Sequence, residues 1–370
     1  MRIKVALILS NIYKAVSHEW TAALIDHDRF ELFVIIMNPA GSPLEDHFKA
    51  HNVPCLVISY RGKYDLPKAV VRIGLFLRKH RISVVHAHLF DASLAGLTAA
   101  FISGTSSRIY TRHHATFHHE YFPEMVKYDR LINRMATKII APSRVVMDVL
   151  IHREKVPAEK VRLIHHGFRF EEWELRNETQ IEHLKLKYGI SGIPVIGVIS
   201  RWTKWKGIQY IIPAFKELLR EFPDAQLVLA NANGDYAPGI RALLAEIPGK
   251  NVCIIPFEED FPSLYRLFTL FVHVPVNDHC EAFGQVYVEA MALAIPSVFT
   301  LSGIAREFIK DEENALVVSY ESSEAILRAM KRLLADEPLR NKLVSNGKRS
   351  VHEQFGVMEM IRSFESIYSM

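Results

Sequence analysis

The sequence predicts an α/β protein built from two Rossmann-like units in tandem, and three observations carry that expectation. Short apolar runs of strand length alternate with runs of helix length along most of the chain, the pattern of parallel sheets with helices on both faces. The alternation stops once, in the polar, strand-poor stretch from Phe170 to Ile193, and then resumes. At 370 residues the chain is also longer than a single core usually supports.

Taken in order, the first series of expected strands falls at residues 4–9, 31–37, 55–58, 83–88, 108–111, 138–141 and 161–165. The segments 19–25, 68–81, 92–102 and 143–153 have helix length and connect them. The second series falls at 195–200, 226–230, 251–256, 270–275, 297–300 and 315–319. This divides the chain into a first Rossmann-like domain (1–170), a linker with a short helix (171–193), a second Rossmann-like domain (194–350) and a closing helix (351–370), with a cleft expected between the domains. The dinucleotide fingerprint G-x-G-x-x-G is missing, which argues against a dehydrogenase.

Composition narrows the function classes. With 49% apolar and 23% charged residues, the chain reads as an ordinary globular protein. A formal charge of +4 suits phosphate-bearing ligands and is too weak for a nucleic-acid binder. Cys55, Cys253 and Cys280 show no paired spacing, pointing to a reducing compartment. KVALILS near the start is strand-length and lacks a cleavage site, and the longest apolar run, 92–103, falls short of the roughly 20 residues a span needs. A cytoplasmic location is expected.

The chemistry concentrates in residues 273–297, HVPVNDHCEAFGQVYVEAMALAIPS. A strand leads through a polar loop into a helix expected from about Gly284, with Glu281 before the helix and Glu289 inside it. That spacing prevents the two carboxylates from pairing on one helix face, so they address different parts of a ligand. The amides of Phe283, Gly284 and Gln285 should be the unpaired N–H groups of the helix start, and Gly284 permits close backbone approach, a geometry suited to phosphate.

The run Glu281-Ala-Phe-Gly-Gln-Val-Tyr-Val-Glu289-Ala-Met-Ala resembles the E-x7-E signature of retaining GT-B glycosyltransferases of family 4, the group 1 glycosyltransferases. Ser200-Arg201-Trp-Thr-Lys204-Trp-Lys206-Gly207 is similar to that family's G-R-L-x-x-x-K-G, with Ser200 and Trp202 departing from its usual residues. The resemblance implies a GT-B fold in which the closing helix crosses back to the first domain. It also implies a metal-independent enzyme with no cofactor, which moves a sugar from a nucleoside-diphosphate-sugar to a hydroxyl of a glycan, glycolipid or small-molecule acceptor. The expected donor is a UDP-sugar ahead of GDP- or ADP-sugars. A nucleotide-sugar epimerase and a non-catalytic sugar-nucleotide-binding homologue are the alternatives.

The same resemblance assigns roles. Arg201 and Lys206 would clamp the diphosphate, Glu281 and the amides of Phe283, Gly284 and Gln285 would position the sugar and diphosphate, Glu289 would hold the ribose, and Phe257 would border the base. His113, in Ile109-Tyr-Thr-Arg-His113, would meet the sugar from the first domain. His114 is its rival, because a one-residue slip reverses strand facing. The loop Ser10-Asn-Ile-Tyr-Lys14-Ala-Val-Ser-His18 lacks the family's glycines, so Lys14 and His18 are assigned to an anionic acceptor. His86 and His88 are read as structural, Asp26-His-Asp28 as a helix end, and no metal site is expected. The stretch 68–81 mixes apolar and basic residues and could meet an anionic membrane peripherally.

Overall fold

The computed structural model describes residues 2–370, which divide into two compact units, residues 2–168 with 357–370 and residues 169–356. The first unit holds a seven-stranded, wholly parallel sheet: β1 (Ile3–Ser10), β2 (Phe30–Asn38), β3 (Cys55–Ser59), β4 (Val84–His88), β5 (Ser107–Thr111), β6 (Lys138–Ala141) and β7 (Val161–Leu163). Strand order is β3-β2-β1-β4-β5-β6-β7, so chain direction across the sheet reverses between β1 and β4. Val5 to Leu9 are fully buried, as expected of a central parallel strand covered on both faces. Register sets Leu7 opposite both Val34 and His86, and His88 opposite Thr111.

The second unit repeats the plan with β8 (Val195–Ile199), β9 (Gln226–Ala230), β10 (Val252–Ile255), β11 (Leu270–His273), β12 (Ser297–Phe299) and β13 (Leu316–Val317). Its order is β10-β9-β8-β11-β12-β13, again all parallel, with the reversal between β8 and β11. Trp202, Phe215, Phe271, Tyr287 and Phe299 are among its fully buried side chains. All thirteen strands lie within a residue or two of their sequence-derived positions, because continuous apolar runs flanked by turn residues are the strongest local signal a buried parallel strand emits.

Two boundaries need correction. Residues 171–193, expected as a linker, carry the helices Phe170–Glu174 and Glu178–Tyr188 and cluster with the second unit. Phe170 stacks on His352 at 4.3 Å and Trp173 meets Phe261 edge-on at 5.3 Å, so apolar residues spaced too sparsely to read as a stripe still anchor the segment. The closing helix, expected from 351, runs Val357–Tyr368, after the helix Glu337–Gln354 ends at Phe355-Gly356. It belongs to the first unit, where Tyr368 hydroxyl meets His86 Nδ1 at 2.6 Å and Glu365 accepts from the Asp26 amide at 2.8 Å. Asp26 Oδ1 also accepts from the amides of Asp28 and Arg29, which makes Asp26-His-Asp28 a turn at the end of a helix. No helix among the described residues is long and apolar enough to cross a membrane.

The first unit also buries an ionic network. Arg112 Nη2 lies 2.6 Å from Glu154 Oε1 and 3.2 Å from Asp129 Oδ2, all three side chains being essentially inaccessible. Removing one partner of such a pair strands the other charge in a medium that solvates it poorly. Arg112→Met should therefore lower the stability of this unit by about 3–5 kcal/mol, read as a shifted denaturant midpoint of its unfolding transition.

Candidate functional site

In an open α/β sheet the crevice for ligands opens beyond the carboxyl ends of the strands, where strand order reverses. In the second unit that place is flanked by the segments following β8 and β11, which contain the two motifs singled out above. The segment after β8 is tethered on both sides. Ser200 N donates to Ala230 O (3.0 Å), Trp202 N to Asn233 O (2.8 Å), and Val276 N to Trp205 O (3.0 Å). Trp202, which departs from the family pattern, is fully buried in the unit's core and anchors the loop. Gly207 follows at φ +76°, where a Cβ would sit 1.9 Å from Val274 O; only glycine lets the two segments approach this closely.

The structure joins the two motifs through a largely buried ion pair: Lys206 Nζ lies 2.5 Å from Glu281 Oε1. His273, at the end of β11, adds its Nε2 at 3.1 Å from the same oxygen, and the Glu281 amide donates to Ser302 Oγ at 3.1 Å. Burial by itself would raise the Glu281 pKa, but the Lys206 ammonium and the His273 imidazole outweigh it and hold the carboxyl well below its usual range. Arg201 is exposed on the loop after β8 and is not drawn into this pair.

Glu289 has the opposite electrostatics. It sits inside the helix Gln285–Ala292, where Oε2 accepts from Tyr265 hydroxyl at 3.1 Å. Burial pushes its pKa up to about 7, and the Tyr265 hydrogen bond only partly offsets this. The helix begins at Gln285, one residue later than expected, because Gly284 takes φ +90° and serves as its cap. The Phe283 side chain is buried and meets Phe355 edge-on at 5.7 Å, and its carbonyl accepts from Ile304 N at 2.9 Å. Phe257 follows the edge strand β10 and is 62% exposed.

The corresponding reversal in the first unit, between β1 and β4, collects histidines. His18 and His88 rings lie 4.4 Å apart, His88 Nδ1 lies 3.2 Å from His113 Nε2, and His113 stacks on His166 at 5.7 Å. Burial is the main cause that lowers the pKa of His18 to about 4 and of His113 to about 3, with neighbouring imidazoles adding to it. His18 is buried and its lowered pKa favours the neutral imidazole, so it would meet an acceptor as a hydrogen-bonding group and not as a cation; Lys14 is exposed. The strand-facing argument does not separate His113 from His114, since β5 ends at Thr111 and both lie beyond it. His113 turns to His88, whereas His114 Nε2 turns to Asp129 Oδ1 at 3.4 Å. The glycine-free loop after β1 keeps its shape through Asn11 at φ +51° and through paired hydrogen bonds between Asn38 and the Ile12 backbone.

Sequence reasoning missed Tyr265, His273, Ser302 and Asp129. Only His273 left a usable signal, a polar residue closing an apolar strand eight residues before Glu281.

Glu289 makes stability depend on pH in a direction that can be checked. Its folded pKa of about 7 exceeds the unfolded 4.5, so folding retains a proton that the unfolded chain releases. This group's contribution to stability therefore falls as pH rises from 4.5 to 7 and stays reduced above. Glu289→Gln should be more stable than the parent at pH 8 by on the order of 1–3 kcal/mol, with the gap closing towards pH 5, measured by urea unfolding.

Both halves of the chain have relatives among known proteins. Residues 181–350 match the family Glycosyl transferases group 1, and residues 16–172 match Glycosyltransferase Family 4. The capsular polysaccharide biosynthesis glycosyltransferase CapM of Staphylococcus aureus is 27% identical over 312 residues, 82% of this chain and 80% of that protein. The putative glycosyltransferase YtcC of Bacillus subtilis (strain 168) is 27% identical over 208 residues, 53% of this chain and 50% of that protein. Among solved structures, Anabaena Alr3699/HepE in complex with UDP-glucose is similar at a TM-score of 0.83 and 20% identity, over 99% of this chain and 100% of that one. With two parallel Rossmann-like units and both halves matched, the chain belongs to the group 1 (family 4) glycosyltransferases of the GT-B fold.

Proposed function

We propose that this protein moves a sugar from a nucleoside-diphosphate-sugar to an acceptor hydroxyl of a glycan, glycolipid or small molecule, with retention at the anomeric carbon and without a catalytic metal. The observation that carries the reading is the 2.5 Å contact between Lys206 and Glu281, which unites two motifs 75 residues apart beyond the strands where order reverses. The UDP-glucose held by HepE motivates UDP as the donor nucleotide ahead of GDP or ADP.

In this mechanism Lys206 and Arg201 receive the charge that develops on the diphosphate as the C1–O bond breaks, a role that fixed cations perform without reorganising. Glu281, kept ionised by Lys206 and His273, accepts from sugar hydroxyls, with the amides of Phe283, Gly284 and Gln285 on the sugar and diphosphate. Glu289 accepts from the ribose hydroxyls, and its raised pKa makes donor binding weaken as pH falls below about 7. Phe257 borders the base. The acceptor side belongs to the first unit, with Lys14 at an anionic group and His113, rather than His114, at the reacting sugar. Arg201→Met with Lys206→Met should lower kcat by roughly 10²–10³-fold, whereas Glu289→Ala should mainly weaken UDP binding, by about 10–100-fold in calorimetry. An unchanged kcat in the double variant would remove the clamp.

We also propose peripheral contact with an anionic membrane from the cytoplasmic side. On the helix Leu66–His80, Ala69, Ile73 and Leu77 are buried, leaving Val71 (61%) and Leu75 (63%) exposed beside Lys68, Arg78 and Lys79. Apolar and cationic groups side by side on a helix suit insertion among anionic headgroups. The protein should float with vesicles containing phosphatidylserine, and Val71→Glu with Leu75→Glu should abolish flotation; equal recovery of both proteins would exclude this face.

A further inference from the structure

We infer that the first unit contains a zinc-class divalent-cation site formed by His114, His118 and Asp129. Their donor atoms converge from three elements: the segment after β5, the short helix Phe117–Tyr121 and the helix Val126–Met135. His118 Nδ1 is 2.8 Å from Asp129 Oδ2, His114 Nε2 is 3.4 Å from Asp129 Oδ1, and all the ligand atoms lie within 4.8 Å of one another. A tetrahedral ion with bonds of about 2.0–2.1 Å to nitrogen and oxygen sets its donors roughly 3.3 Å apart, so small shifts would admit it. Two imidazoles and one carboxylate suit zinc better than calcium or magnesium, which prefer oxygen cages.

The surroundings are built as a metal ligand's surroundings usually are. Asp129 is buried, and Arg112 Nη2 holds its Oδ2 at 3.2 Å, leaving Oδ1 directed at His114. Arg112 is itself held by Glu154, which also accepts from Asn133 Nδ2 at 2.6 Å and meets His119 Nε2 at 3.0 Å. Two buried carboxylates thus share one guanidinium, and a cation between the imidazoles would balance the remaining negative charge. His114 is the most accessible of the three, at 18% side-chain exposure, and gives the ion its entry and its fourth, solvent position. The site has no part in the donor chemistry proposed above; it would pin the segment after β5 to the two helices.

The test is titration of the chelator-treated full-length protein with Zn2+ alone, followed by calorimetry and thermal unfolding, and with Co2+, followed by visible absorption. One equivalent should bind, raise Tm by mass action and give Co2+ the bands of a four-coordinate site. His118→Ala and, as a milder second variant, His114→Asn should each weaken binding by at least about 10–100-fold, the cost even of losing a ligand's supporting residue. The pair of half-buried His47 and exposed His51, stacked at 4.2 Å, is the obvious adventitious competitor, so His47→Ala with His51→Ala should leave the equivalent intact. Absence of binding, or binding that survives both His118→Ala and His114→Asn, would overturn the assignment. So would binding that disappears only in the His47/His51 variant.

Discussion

The contact between Lys206 and Glu281 is the constraint on which the strand-carboxyl end of the second unit depends. Each partner comes from a different crossover of one parallel sheet, and each is placed beyond a strand that lies beside the reversal in strand order. Burying two charges is unfavourable unless they meet closely and their remaining capacity is satisfied. Here His273 supplies a further partner to the Glu281 carboxylate, and Ser302 fixes the backbone that presents it. The pair therefore does more than neutralise charge, because it sets how near the loop after β8 can lie to the helix Gln285–Ala292. Gly303 belongs to the same constraint, since a Cβ there would meet Phe283 O at 2.7 Å and Glu281 Cβ at 2.8 Å.

The two carboxylates of the E-x7-E run have been separated electrostatically by their surroundings. Glu281 has a cation within contact distance and stays ionised, whereas Glu289 has only a phenol and is held near neutrality by burial. A group of the second kind gains most when a ligand supplies hydroxyl donors, because those hydrogen bonds favour the charge that burial opposes. The first unit presents a different face at the equivalent position of its sheet. Its clustered imidazoles are driven neutral by burial and by each other, so that end of the sheet offers hydrogen-bonding groups with little net charge.

The histidines show how one residue type is sorted by packing into distinct tasks. His86 bridges Tyr368 and Thr111 and ties the closing helix to β4 and β5. His88 and His113 meet each other, and His114 and His118 meet Asp129. Neighbours in sequence therefore serve different neighbours in space, and Arg112 lies between the groups, donating through Nε to His114 O.

Local sequence by itself determined the strands, the division into two sheets and the identity of the motifs. Buried parallel strands are continuous apolar runs, and Glu281, Gly284, Glu289 and Lys206 are fixed in spacing along one chain segment or one turn. What local sequence could not determine is anything that depends on partners distant in the chain. Residues 171–193 look polar because only Trp173, Ile181, Leu184 and Ile190 are buried, and Phe261, the partner of Trp173, is far along the chain, as is His352, the partner of the preceding Phe170. The pairing of Tyr265 with Glu289, the neutrality of His18 and the meeting of His118 with Asp129 all arise from burial and from side chains brought together across separate elements. Tertiary structure decided these, because dielectric environment and three-dimensional proximity are properties of the packed whole and leave no periodic trace along the chain.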